Sequence, residues 1–355
     1  MKKLLIFSHE YPPCLGGAGS VAHTLREGIC ASNEYEVTVL TSSRTPSSSS
    51  QKIVSVWQSQ RLWPFIYSFW LFLNASKFDV IIANDPAAIF AVGKYLPKRL
   101  LSKVICFIHG EEKYLVSSSL PLKIFGFKPA FLRAMQHAKK VVFVSAYIEQ
   151  LYVDLYGISL PDIKRSVIHS GVSSKQFYPV HEINNTKPLY LTVSRLESLK
   201  GFDTMLDSFT LLSKKGHDFN WVIAGDGSYF DTFKKKVSSS LICNNVTLLG
   251  KVGRSQLSPL YQKANYYISL SELKESYGLS FLEAAFSGVT PIGYNRCGTK
   301  EAFQYIHGGY LIDSYKNPNG IAAELHQIME SSQKENTVTC ERTVEQFCLE
   351  VADEL

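Results

Sequence analysis

Short, nearly continuous apolar runs alternate with stretches of three- and four-residue apolar spacing along almost the whole chain. In the first half Leu4–Phe7, Val37–Leu40, Val80–Ala83, Val104–Ile108 and Val141–Val144 read as strands. Between them Ala87–Tyr95, Leu122–Ala138 and Ala146–Tyr156 read as helices, and Val21, Leu25 and Ile29 mark another. The second half repeats the pattern. Leu189–Val193, Trp221–Ala224, Val246–Leu248 and Tyr266–Leu270 read as strands, and Phe202–Leu212, Phe230–Val237, Ser255–Gln262, Ile321–Met329 and Val344–Val351 as helices. Strands that alternate with helices imply right-handed crossovers and parallel sheets covered on both faces, an α/β protein. Residues 170–187, with Ser-Gly-Val-Ser-Ser, Pro179 and Asn184-Asn185, read as a linker. The expected division is therefore an N-terminal domain over 1–175, a C-terminal domain over 186–338 and a terminal segment over 339–355.

The most informative stretch is Glu275 to Gly288, E-S-Y-G-L-S-F-L-E-A-A-F-S-G. Gly278 can open a helix there and Gly288 can close it. If the eight positions from Glu275 to Glu283 are helical, they span about 12 Å. The helix N-terminus near Gly278 and Leu279 then lies between the two acids, and its unpaired N–H groups suit a diphosphate. The plainer reading is an amphipathic helix with two solvated acids.

Several strand-end loops carry further chemistry. Leu4–Phe7 runs into Glu10-Tyr11-Pro12-Pro13-Cys14-Leu15-Gly16-Gly17-Ala18-Gly19, where Gly16, Gly17 and Gly19 let backbone approach a ligand; the alternative is a tight strand–helix turn. The spacing fits neither G-x-G-x-x-G nor a P-loop. Val193 leads into Ser194-Arg195-Leu196-Glu197-Ser198-Leu199-Lys200-Gly201, whose two cations can converge on one diphosphate or simply face solvent. His109-Gly110-Glu111 ends another strand and points at the carboxyl edge of a parallel sheet, although a lone histidine is more often structural. Ser8-His9 and Ile168-His169 also end strands and read as structural. The chain has no D-x-D and nothing resembling a Ser/His/Asp triad.

Composition narrows the classes. The 355 residues suffice for two α/β domains, and 45% apolar content describes a globular protein. The seven cysteines, at 14, 30, 106, 243, 297, 340 and 348, are scattered without a C-x-x-C, which argues for a reducing cytosol over a disulfide scaffold or zinc site. Lys2-Lys3 precede only four apolar residues, too few for a signal peptide, and the longest apolar run, Leu62–Leu73, is too short to span a bilayer. Residues 1–175 hold 20 Lys and Arg against 11 Asp and Glu, a charge of +9; the remainder hold 17 against 20, or −3. No nucleic-acid-binding signature accompanies the basic half. That leaves an anionic membrane as its expected partner. Leu120–Lys140 interleaves Lys123, Lys128, Arg133, Lys139 and Lys140 with apolar residues, and Arg61–Lys77 frames Trp63, Phe65, Tyr67, Phe69, Trp70 and Phe72. Both suit an interfacial helix, the first more than the second; the plainer reading makes them core helices.

Glu275–Gly288 resembles the E-x7-E motif of retaining GT-B glycosyltransferases, glycosyltransferase family 4 in particular. Pro291-Ile292-Gly293 and Cys297-Gly298-Thr299-Lys300-Glu301 resemble the strand and glycine turn that follow it. Glu10-Tyr11-Pro12-Pro13 with Gly16-Gly17 resembles the family's opening loop, and Arg195 and Lys200-Gly201 its G-R-x-x-x-x-K-G. Ala224-Gly225-Asp226-Gly227 is similar to its G-D-G turn, and Gly250-Lys251-Val252 to the loop at the nucleotide base. The resemblance implies a GT-B fold, two Rossmann-like parallel α/β domains facing a central cleft, with a final helix returning to the first domain. It implies retaining transfer from a nucleotide sugar to an acceptor hydroxyl, without a metal or other cofactor. The implied acceptor is a lipid-linked glycan of bacterial surface polysaccharide, at the inner membrane face. Arg195 and Lys200 are then expected on the diphosphate, Glu275 on the donor-sugar hydroxyls, and His109 beside the sugar and acceptor. Glu283 is expected on the ribose, with Gly16, Gly17, Gly19, Gly227, Val252, Ser276, Tyr277, Gly278 and Leu279 completing the donor site. An epimerase or hydrolase on the same fold, or an inactive sugar-nucleotide-binding subunit, are the alternatives.

Overall fold

The computed structural model describes residues 1–13, 17–57, 63–112, 115, 123–157, 160–180, 185–331 and 337–355. The chain forms two units: Met1–Ser170 together with Val344–Leu355, and Gly171–Thr343.

Unit 1 is built on a seven-stranded parallel sheet in the order β3-β2-β1-β4-β5-β6-β7. Its strands are β1 (Lys2–Phe7), β2 (Tyr35–Ser42), β3 (Ile53–Val56), β4 (Val80–Ala83), β5 (Val104–Ile108), β6 (Lys140–Phe143) and β7 (Arg165–Val167). The helices are α1 (Gly17–Ala31), α2 (Trp63–Asn74), α3 (Pro86–Tyr95), α4 (Lys98–Leu101), α5 (Phe127–His137) and α6 (Ala146–Tyr156). The central strands are buried on both faces, which is why they read as continuous apolar runs rather than alternating ones. β3 and β7 are short edge strands with half-polar faces, and periodicity does not single them out.

Unit 2 repeats the plan with a six-stranded parallel sheet, β10-β9-β8-β11-β12-β14. It contains β8 (Leu189–Val193), β9 (Asn220–Ala224), β10 (Val246–Gly250), β11 (Tyr266–Ser269), β12 (Thr290–Tyr294) and β14 (Tyr310–Ile312), and a small antiparallel pair, β13 (Ile306–His307) with β15 (Thr339–Cys340). Its helices are α7 (Phe202–Lys214), α8 (Phe230–Ser238), α9 (Arg254–Tyr261), α10 (Leu279–Phe286), α11 (Cys297–Ala302) and α12 (Pro318–Ser331). Each sheet grows outward in one direction and then restarts beside its first strand. The resulting switch points lie between β1 and β4 in unit 1 and between β8 and β11 in unit 2, where open α/β sheets bind ligands.

The division falls between Ser170 and Gly171, because the start of the expected linker packs on unit 2. Phe177 is buried against the Tyr261 ring, and Gln262 donates to the Tyr178 carbonyl. The terminal helix α13 (Val344–Glu354) belongs to unit 1. A side chain at Gly28 of α1 would strike Cys348, so the two helices touch there backbone to side chain. Lys139 donates to the carbonyls of Glu354 and Leu355, and Lys140 pairs with the Glu354 carboxylate.

The two basic, aromatic stretches of unit 1 differ in what they bury and what they expose. Residues 120–122 lie outside the described residues. The rest of that stretch is largely the core helix α5, which buries Phe127, Ala130, Phe131, Ala134 and Met135. It crosses α3 so closely that a Cβ on Gly93 would sit 2.0 Å from the Ala130 carbonyl oxygen. Its Arg133 is spent internally, donating to the carbonyls of Gly93 and Leu96 at the end of α3. By contrast α2 buries Tyr67 and Leu71 and leaves Phe65, Phe69, Phe72 and Leu73 exposed by 54, 67, 83 and 50%. Those four recur at helical spacing and form one apolar stripe.

Candidate functional site

In unit 2 the loops that leave β8 and β11 are stitched together. The amides of Glu272 and Leu273 donate to the Leu199 carbonyl. Gly201 takes φ +75°, and a Cβ there would lie 1.8 Å from the Leu270 carbonyl oxygen, so only glycine permits the approach. The loops thereby bring Lys200 Nζ to 2.7 Å from Glu275 Oε1 in a largely buried ion pair. Two residues expected on neighbouring parts of a ligand thus meet directly. Arg195 stands on the same loop, 78% exposed and loosely paired with Glu197 at 3.0 Å.

The loop carrying Arg195 is backed by the turn after β9. Leu196 N–H donates to the Asp226 carbonyl and Tyr229 N–H to the Leu196 carbonyl. A Cβ on Gly227 would come within 2.3 Å of the Leu196 carbonyl oxygen. The structure therefore places Gly227 beneath the Arg195 loop, as its support.

The Glu275–Gly288 stretch folds as a loop followed by a helix. Gly278 caps α10 at φ +103°, so only the positions from Leu279 onward are helical, and a helical rise does not set the separation of Glu275 from Glu283. Glu283 is buried, which overturns the reading of two solvated acids. It accepts a hydrogen bond from the Tyr261 hydroxyl at 3.2 Å, with the Arg254 guanidinium 3.9 Å away; burial raises its pKa against the pull of Arg254. Sequence reasoning missed Tyr261 and Arg254, which lie on α9 and carry no local signal.

The backbone of Glu275 and Ser276 is held from the other side by the turn after β12. Gly298 N–H donates to the Glu275 carbonyl, and a Cβ there would lie 2.0 Å from the Ser276 carbonyl oxygen. Cys297, one residue earlier, takes φ +51°, a conformation that glycine enters without strain. Ser276 is half-buried, whereas the Tyr277 side chain is buried, which leaves its backbone as the part able to meet a ligand. Val252 lies with Lys251, Ser255 and Gln256 along a shallow groove of about 490 Å³.

In unit 1 the switch point is polar and buried. Asn84 and Asp85, at the end of β4, meet Ser8 and His9, at the end of β1. The Asp85 carboxylate accepts from the Ala88, His9 and Glu10 amides and the Ser8 hydroxyl; burial raises its pKa and these four donors oppose the rise. His109 Nε2 lies 3.1 Å from Asn84 Oδ1, and burial lowers its pKa to about 4. Burial raises the neighbouring Glu112 carboxyl to about 8, with the Asp85 charge adding to it. His9, read from sequence as structural, has Nδ1 3.0 Å from the Tyr67 hydroxyl, and burial lowers its pKa to about 4. Gly16 lies outside the described residues. A Cβ on Gly17, at the start of α1, would meet nothing within 4 Å, whereas one on Gly19 would lie 3.2 Å from the Glu10 carbonyl. Packing therefore accounts for Gly19 and leaves Gly17 open.

Residues 173–342 match the family model described as glycosyl transferases group 1, and residues 15–176 match glycosyltransferase family 4. The chain belongs to the family 4 glycosyltransferases. Among its relatives is a GDP-mannose-dependent alpha-(1-6)-phosphatidylinositol monomannoside mannosyltransferase of Mycobacterium tuberculosis, 25% identical over 60% of this chain. The match spans only 57% of that relative's own length. The sucrose-phosphate synthase of Thermosynechococcus elongatus superposes with a TM-score of 0.74 at 17% identity, over 100% of this chain and 95% of that one. The Anabaena protein HepE, solved with UDP and glucose, does so with a TM-score of 0.73 at 16% identity, over 100% and 95%. These likenesses establish the GT-B fold for this family 4 member.

Proposed function

We propose that the chain transfers a sugar, with retention of anomeric configuration, from a nucleoside diphosphate sugar held by unit 2 to an acceptor hydroxyl served by unit 1. The observation that carries this reading is the Lys200–Glu275 pair at the switch point of unit 2, with Arg195 on the same loop as Lys200 and Glu283 buried on α10. Glu275 holds Lys200 in place before any ligand arrives, so a diphosphate meets a positioned cation. Arg195 adds a planar, exposed fork. The free N–H groups at the start of α10 face the same charge. Glu275 then serves the sugar hydroxyls and Glu283 the ribose.

The bond between the anomeric carbon and the diphosphate oxygen breaks, and the acceptor oxygen bonds to that carbon from the same face. The acceptor proton passes to the departing phosphate oxygen. Charge builds on the diphosphate, where Lys200 and Arg195 counter it without a metal. The pairing of a lipid acceptor with a nucleotide sugar in the mycobacterial relative's name, and the UDP in HepE, support this choice of substrates. The acceptor is a lipid-linked glycan, reached at the inner face of the cell membrane. Unit 1 docks there through the exposed aromatic stripe of α2, drawn by its positive charge.

The reading is tested by incubating the protein with UDP-, GDP- and ADP-sugars, with and without bacterial lipid extract. Nucleoside diphosphate should appear only when both substrates are present, and the product should keep the donor's anomeric configuration by NMR. Release without acceptor would indicate a hydrolase, and a changed sugar would indicate an epimerase. Binding without release would indicate an inactive scaffold subunit.

A further inference from the structure

The ends of β1, β4 and β5 share a hydrogen-bond network whose polarity can be read without seeing a proton. Asn84 is fully buried. Its amide nitrogen lies 2.8 Å from the Ala18 carbonyl in the first turn of α1 and 3.1 Å from the Ser8 hydroxyl oxygen. The Ala18 carbonyl can only accept, which fixes the amide: nitrogen toward Ala18, oxygen toward His109. The Ser8 hydroxyl shares its one proton between the Glu10 carbonyl at 2.7 Å and the Asp85 carboxylate at 3.2 Å, so its oxygen can receive the second amide proton. Asn84 Oδ1 therefore faces His109 Nε2 at 3.1 Å and can only accept from it. The proton must sit on Nε2. In a neutral imidazole the lone pair then lies on Nδ1.

We propose that Asn84 is a positioning residue that locks His109 in its Nε2–H tautomer, so that Nδ1 accepts a hydrogen bond from a hydroxyl of the acceptor served by unit 1. The proposal rests on the glycosyltransferase reading above. Burial supports it by keeping the ring neutral well below physiological pH. The imidazole here is an acceptor, tuned against carrying a proton. Asn84 also ties the ring to Ala18, so the glycine-rich opening of α1 and the histidine are held by one side chain.

The wild-type tautomer needs no variant. Long-range ¹H–¹⁵N spectra of histidine-labelled protein, with His109 assigned by its absence in His109→Gln, should show Nε2 protonated and Nδ1 bare at pH 7. Asn84→Asp keeps the size but removes the donor to Ala18 and sets a carboxylate against Nε2. His109 should then titrate about two pH units higher. Turnover at pH 7 should fall by roughly tenfold and recover toward alkaline pH, while nucleoside diphosphate affinity stays within about threefold. A proton on Nδ1 in the wild type would overturn the proposal. So would an Asn84→Asp protein whose His109 titration and turnover both match wild type, or one whose titration moves without any change in turnover. Failure of the wild type to bind or turn over any nucleotide sugar would instead sink the underlying reading, and the tautomer spectrum tells the two apart.

Discussion

The two switch points share a sheet order and differ in almost everything else. In unit 2 the loops after β8 and β11 meet through Lys200 and Glu275, with Arg195 out in solvent. In unit 1 the ends of β1 and β4 meet through Ser8, Asn84 and Asp85, all buried, with His9 and His109 held neutral. One edge offers charge to a ligand; the other offers fixed dipoles and lone pairs. On the proposed function, a leaving diphosphate would use the first and an acceptor hydroxyl the second. The same topology thus presents two different chemistries, decided by which residues end each strand.

The sharpest way to break this contrast is to remove charge from unit 2. Lys200→Ala should lower turnover by about 10²–10³, since a donor to a developing phosphate charge is worth roughly 2.7–4 kcal/mol. Arg195→Ala should cost at least about tenfold, less than Lys200 because its exposed guanidinium is screened by solvent. Near-normal turnover in both would remove the diphosphate from this edge.

A smaller effect separates the two acids. Glu283→Ala should weaken nucleoside diphosphate binding by about tenfold, the worth of a charge-assisted hydrogen bond. Glu275→Ala should weaken only the added affinity of the full nucleotide sugar. Calorimetry with both ligands decides this, and equal losses throughout would refute the division of roles.

Unit 1 is probed on its outer face. Phe69→Ser with Phe72→Ser should reduce co-sedimentation with anionic liposomes by about tenfold or more, given the apolar area that the two rings withdraw from water. Lys123→Glu with Lys128→Glu should reduce it less and make it less sensitive to salt. Wild-type protein that stays in the supernatant at low salt would argue for a soluble acceptor.

The smallest effect concerns Glu112. Its carboxyl is raised to about 8 in the fold, so the folded state binds more protons than the unfolded one between about pH 4.5 and 8. Stability should fall as pH rises through that window. Glu112→Gln should remove the fall, raising Tm by roughly 2–4 °C at pH 8.5 and hardly at all below pH 4.5. Parallel melting curves for the two proteins across that range would show that the carboxyl carries no such burden.

Much of the fold and part of the site are legible in the amino-acid sequence. Continuous apolar runs locate the central strands, because parallel strands covered on both faces have no polar side to show. Arg195, Lys200 and Glu275 are legible because each follows the end of a strand. Their mutual contact is not, since it depends on Gly201 lying against Leu270, which no spacing reveals. Tyr261 and Arg254 are invisible for the same reason: they reach Glu283 from another helix. Composition does not say which face of either basic stretch is covered. Arg133 counts as a cation in sequence yet serves as an internal cap on α3. Asn84 carries no signal at all; asparagine after a strand reads as a turn residue.

Unit 2 is proposed to bind a nucleoside diphosphate sugar through Lys200, Arg195 and Glu283. Thermal melting with UDP-, GDP- and ADP-sugars tests it most directly, because a ligand that binds only the folded state raises the midpoint. At least one of the three should stabilise the wild type at millimolar concentration. That stabilisation should shrink sharply in Lys200→Ala and in Glu283→Ala, each compared with its own ligand-free midpoint. No shift with any donor, or a shift in both variants as large as in the wild type, would contradict this assignment.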